Sequence, residues 1–193
     1  MSTIPKEVLE FCEIYGLTTD QFYGRSVYPG DLELWDVAVL PGVPHLKSER
    51  DMFFGALAEI PQGGTLEAGG SLFIRSPQLV SLEGVATVGE SLSLIGCTSL
   101  RSLRSPTLKS VGRLDLEKTP IYSIPEDLEV RHKVCLGDSK KYESVKKAKG
   151  ILKDFRDSIK CSDDAGEILL DRLNRPLWQI AYATDYLNGD LQL

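Results

Sequence analysis

The sequence predicts an α/β solenoid with short parallel strands, capped by helices at both ends. A pair of apolar residues flanking one residue of any kind returns six times in the chain. The pairs are Leu32/Leu34, Met52/Phe54, Leu72/Ile74, Leu92/Leu94, Leu114/Leu116 and Val134/Leu136. They begin 20, 20, 20, 22 and 20 residues apart, and a fixed period of this size marks coils that bury their apolar face against their neighbours. Apolar residues at helical spacing flank the repeat on both sides. The chain accordingly divides into an N-terminal helical cap and connector (1–30), the solenoid (31–138) and a C-terminal helical cap (139–193).

In the first segment Pro5 suits the first helical position, with Ser2 or Thr3 as cap. Val8, Leu9, Cys12 and Tyr15 fall on one face, and Gly16 ends the helix. An uncovered end coil would leave apolar surface in water, so this helix is assigned to covering the first coil. Tyr23, Tyr28 and Pro29 suit a rigid connector.

Within the solenoid the residues after each pair also recur. Leu79, Leu82, Val85 and Val88 in one coil match Leu100, Leu103, Leu108 and Val111 in the next, then Ile121, Ile124, Leu128 and Val130. An aliphatic residue followed by proline returns as Leu40-Pro41, Ile60-Pro61 and Ile124-Pro125, where proline sets a bend and removes a donor. Evenly spaced short strands also suit a β-sandwich. Repetition outside the strands favours the solenoid.

The phrases Ser91-Leu92-Ser93-Leu94-Ile95-Gly96-Cys97-Thr98-Ser99-Leu100 and Leu114-Asp115-Leu116-Glu117-Lys118-Thr119-Pro120-Ile121 carry a resemblance. They resemble bacterial leucine-rich repeats of the short, roughly 20-residue type. The resemblance implies coils with one short parallel strand each, and recognition through the strand face. Where that family usually carries asparagine, this chain has Thr98, Thr119 and Pro77.

From Ser139 the apolar spacing turns helical, with Val145, Ala148, Leu152, Phe155 and Ile159 in one stripe. Ser162, Asp163 and Asp164 suit the cap of a second helix running through Ile168, Leu169 and Leu173. Pro176 suits the start of a third, closed by Asn188-Gly189.

Composition narrows the function. No apolar run is long enough for a membrane span, and the first residues lack the charged and apolar regions of a secretory signal. Cys12, Cys97, Cys135 and Cys161 form no Cys-x-x-Cys pair and read as buried thiols of a reducing compartment, so a cytoplasmic location is expected, in the producing cell or in a host cell. His45 and His132 have no second ligand at metal spacing, so no metal is expected. No phosphate-binding glycine loop, dinucleotide fingerprint or hydrolase elbow is present, so neither a cofactor nor an enzyme is expected. Cys161-Ser162-Asp163 is similar to the Cys-x-Asp nucleophile of bacterial effectors that join short leucine-rich repeats to a ubiquitin-ligase domain. That domain is several times longer than the segment after the repeats, and Ser162 and Asp163 suit a helix cap, so a ligase is a minor alternative.

Two surfaces remain as candidates. Alternation along each strand turns the residues flanking the apolar pairs outward. The outward columns contain Trp35, Phe53, Phe73, Arg75, Ile95, Asp115 and Glu117, and aromatics with arginine are the usual material of interface hot spots. A competing reading folds Trp35 or Phe53 under the N-terminal cap. The second surface is basic: Lys140, Lys141, Lys146, Lys147, Lys149, Lys153, Arg156 and Lys160 in a chain of net charge −6. Such a run is usually a solvated helix face; as a working surface it would meet an acidic partner or a phosphate backbone. The overall negative charge makes nucleic acid an unfavoured partner. The expected function is a non-catalytic protein-binding module, of the kind a bacterial, phage or effector protein uses to inhibit or recruit a target.

Overall fold

The structure, a computed structural model, describes residues 3–121, 124, 125, 127–135, 159–162 and 167–170. Each coil begins with a three-residue strand. These strands are β1 (Leu32–Leu34), β3 (Met52–Phe54), β5 (Leu72–Ile74) and β7 (Ser91–Ser93). The first and last side chains point inward in β1, β3 and β5, and the middle residue, Leu92, does so in β7. They pair in parallel, and the register sets Leu32 beside Met52, Met52 beside Leu72 and Leu72 beside Leu92. The series continues through Leu114 of β8 (Ser110–Asp115) to Val134 of β9 (Glu129–Cys135). The 20-residue period is therefore the strand-to-strand step of one parallel sheet.

The return leg of the early coils contains a second strand: β2 (His45–Ser48), β4 (Thr65–Ala68) and β6 (Val85–Val88). These form a separate three-stranded parallel sheet, not foreseen from the spacing. The Leu40-Pro41 and Ile60-Pro61 bends carry the chain from one sheet toward the other, and Leu40 and Ile60 turn into the core. The side chains between the sheets are almost entirely apolar, and Leu72, Leu92, Leu94, Leu114 and Leu116 have no exposed surface.

The coil with the 22-residue step shows how extra residues are absorbed. Its return leg makes no fourth strand beside β6. Instead the Ser105 and Thr107 hydroxyls donate to the Val85 carbonyl at 2.7 and 3.0 Å. Side-chain donors thus satisfy a strand edge that a backbone neighbour would otherwise pair. The Thr119 hydroxyl donates to the Leu116 carbonyl of its own coil at 2.8 Å. Thr98 reaches the Pro77 carbonyl of the preceding coil at 3.5 Å.

Coils this close leave no room for a side chain at the tight turns. A Cβ on Gly69 or Gly89 would collide with the backbone carbonyl of Glu49 or Gly69, one coil earlier. Glycine is required there by close approach rather than by its torsion angles.

The helical expectations need correction. Among the described residues the class is a parallel β-solenoid with few helices, and an α/β solenoid closed by helical caps at both ends is not supported. Helix α1 (Lys6–Tyr15) ends at Gly16 in the left-handed conformation, and α2 (Thr19–Phe22) opens on a reciprocal Thr18–Gln21 capping box. Buried Val8, Phe11 and Cys12 define the inner face of α1, whereas Leu9 is 47% exposed. Phe11 and Phe22 meet edge to face at 5.7 Å, and α2 packs beside β2.

After the repeats, Ile159–Ser162 and Glu167–Leu170 are strands β10 and β11, where helices had been expected to end and to run. β11 pairs antiparallel with β9, setting Ile168 beside Val134, and β10 pairs with β11. The last coil presents an open row of backbone donors and acceptors, and satisfying it in tertiary contact outweighs a local helical pattern. The remaining predicted helical positions, including Val145, Leu152, Phe155, Leu173 and Pro176, lie outside the described residues.

Replacing Leu94 with Ala removes a fully buried side chain from the inner column and should cost roughly 2–5 kcal/mol. Denaturant unfolding checks this; a loss below about 0.5 kcal/mol would contradict the register.

Candidate protein-binding face

The first sheet turns its second, outward face to the surroundings. Its central column is Glu33, Phe53, Phe73, Ser93, Asp115 and Cys135, each paired in register with the next. Adjacent strands lie about 4.8 Å apart, so like residues in this column must stack. Phe53 and Phe73 do so, with centroids 4.8 Å apart and rings 2° from parallel.

Trp35 enters from the neighbouring column and extends the stack. Its ring lies 5.2 Å from Phe53, and its Nε1 donates to Glu33 at 3.2 Å. The counterpart of Trp35 in the next coil is Gly55, whose amide donates to the Trp35 carbonyl. A Cβ on Gly55 would strike that carbonyl at 2.5 Å and lie 3.4 Å from the indole. The glycine therefore leaves the space across which the indole leans. Sequence reading found the aromatics and missed this glycine; its place beside tryptophan in an outward column was the available signal.

Trp35 is 39% exposed and Phe53 and Phe73 are half-buried, so neither Trp35 nor Phe53 is folded under the N-terminal helix. Arg75 is exposed on the same face, two residues beyond Phe73, and Ile95 is half-buried beside it in the next coil.

The far end of the face is polar and internally paired. Arg113 reaches Asp115 at 3.2 Å, and Lys118 reaches Glu117 at 3.5 Å. Burial pushes the Asp115 carboxyl above its ordinary range; the Glu117 amide and the Arg113 guanidinium pull the other way without restoring it. The structure thus brings Trp35, Phe53, Phe73 and Arg75 to one end of the sheet. Asp115 and Glu117 lie beyond Ser93 and Ile95, in a separate charged cluster.

Other candidate chemistry has structural partners. His45 Nδ1 lies 3.0 Å from the Thr65 hydroxyl of the next coil. Cys12 and Cys97 are buried free thiols, and Cys135 is buried. The Cys97 thiol contacts the Ile74 carbonyl at 3.2 Å, and burial pushes its pKa up to about 11. Among the described residues no cluster of three metal-ligating side chains occurs, and no helix is long and apolar enough to cross a membrane. A groove of about 580 Å³ crosses the return bends and is lined by Glu59, Gln62, Thr65, Glu83 and Thr107 among others. Lys140, Lys141, Lys146, Lys147, Lys149, Lys153 and Arg156 of the basic run lie outside the described residues. Lys160 and Cys161 fall in β10 rather than in a helix, with side chains outside the description.

Compared with protein-family models, with curated proteins and with solved structures, the chain matches none.

Replacing Gly55 with Ala should push the indole off Phe53, seen as a shifted tryptophan emission and altered near-ultraviolet dichroism. Unchanged spectra would contradict the role given to this glycine.

Asp115 yields a pH prediction. Its folded pKa is raised, so the protonated carboxyl contributes stability that is lost as pH rises through the folded value. Asp115→Asn should therefore raise the melting temperature at neutral pH, with the gain shrinking on acidification below the carboxylate range. A gain that grew on acidification would contradict the burial argument.

Proposed function

We propose that this chain is a non-catalytic protein-binding module whose working surface is the aromatic end of the first sheet. The observation that carries this reading is the outward Trp35–Phe53–Phe73 stack. Phe53 lies between Trp35 and Phe73, so both its ring faces are occupied and ring edges are left to meet a partner. A ligand that binds by stacking, such as an unpaired base or a sugar, finds no open face on Phe53 and would have to use the outer face of Trp35 or Phe73. Ring edges instead suit apolar side chains, and aromatic residues beside arginine concentrate binding energy in protein interfaces. The resemblance to short leucine-rich repeats supports the same use of the strand face. A bacterial, phage or effector protein that inhibits or recruits a target is the setting we favour.

The test is capture of a partner from the native cell, followed by calorimetry on variants. Phe73→Ala should weaken binding by at least about 2 kcal/mol while leaving the far-ultraviolet spectrum unchanged. Reversing Lys146 and Lys147 to Glu should leave affinity nearly unchanged at physiological salt. The opposite pair of results would move the working surface to the basic run.

A further inference from the structure

Among the described side chains of the outward face, Arg50, Arg113 and Lys118 are paired with carboxylates and Arg75 is not. Arg113 is paired with Asp115, Lys118 with Glu117, and Arg50 with Asp31 at 3.6 Å. The Glu33 carboxylate accepts from the Trp35 indole. Arg75 is exposed, and among the described residues its side chain has neither a carboxylate within 4.0 Å nor a hydrogen bond. Its neighbours within the column are Gly55, which has no side chain, and Ile95, which is apolar. An unmatched positive charge therefore sits beside the aromatic stack.

We infer that the face takes an extended partner segment in which an apolar side chain is followed two residues later by a carboxylate. The apolar group meets the ring edges of Phe53 and Phe73, and the carboxylate meets the Arg75 guanidinium. The spacing follows from geometry. Phe73 and Arg75 lie on the same face of the chain two residues apart, about 6.6 Å along a strand, and an extended partner repeats its own side chains at the same interval. The chemistry follows from the arginine, whose planar fork matches a carboxylate with two parallel hydrogen bonds. A lysine or a neutral amide at that place in the partner would leave the charge unmatched. This proposal takes the protein-binding role of the face as its premise.

The probes are three labelled, end-capped peptides of nine residues, identical except for a central Leu-Ser-Glu, Leu-Ser-Gln or Leu-Ser-Lys, measured by fluorescence anisotropy with the full chain. The Glu peptide should bind about tenfold more tightly than the Gln peptide, equivalent to about 1.4 kcal/mol, and the Lys peptide more weakly still. Arg75→Gln should abolish that ranking, Arg75→Glu should reverse it, and Phe73→Ala should weaken all three peptides. Equal binding of the Glu and Lys peptides, or no binding of any, overturns the inference. A captured natural partner separates the two levels. Loss of its binding in Phe73→Ala but not in Arg75→Gln defeats the acidic-segment inference and leaves the binding face standing. Retention in both variants defeats the face itself.

Discussion

Parallel pairing in register, repeated once per coil, is the constraint from which the other features of this molecule follow. It sets each residue about 4.8 Å from its counterpart in the next coil, so a property shared by counterparts becomes a column. Apolar counterparts make the continuous core of Leu32, Met52, Leu72, Leu92, Leu114 and Val134. Glycine counterparts at Gly69 and Gly89 let the turns close without collision. Aromatic counterparts at Phe53 and Phe73 have little choice but to stack. Polar counterparts tie one coil to the next, as when Asp51 accepts from the Ser71 amide at 2.6 Å and Asp31 from the Asp51 amide at 3.2 Å.

The same constraint explains how the sheets end. A coil with extra residues cannot keep its return leg in register, and the small sheet stops after β6. Ser105 and Thr107 supply hydroxyl donors where the backbone ladder lapses. At the other end, β9 still offers an unpaired edge, and the antiparallel β10–β11 hairpin continues the large sheet. Both solutions satisfy backbone groups that burial would otherwise leave costly.

The face that results is divided. Its charged end pairs internally, because Arg113 and Asp115 alternate on one strand and Glu117 is followed by Lys118. Its aromatic end is dense, and there Gly55 substitutes space for a side chain so that an indole can lean across a coil. Ring edges and a single unmatched guanidinium are what this end presents to a partner.

The solenoid was legible in the sequence because its period is a direct consequence of stacking. Register, inner columns and outward columns all follow from the recurrence of apolar pairs, and Trp35, Phe53, Phe73 and Arg75 could be placed on one face before any coordinates. Three things were decided only in the tertiary structure. The second sheet of β2, β4 and β6 was hidden because its apolar positions recur from coil to coil without enough alternation within four residues to mark a strand; β2 has only Leu46. The segment around Ile159–Leu170 reads as helix locally, yet the open edge of β9 makes strand pairing the better use of its backbone. Packing of the Trp35 indole depends on the absence of a side chain at Gly55, one coil away, and a contact between residues 20 positions apart becomes visible only when the coils are stacked.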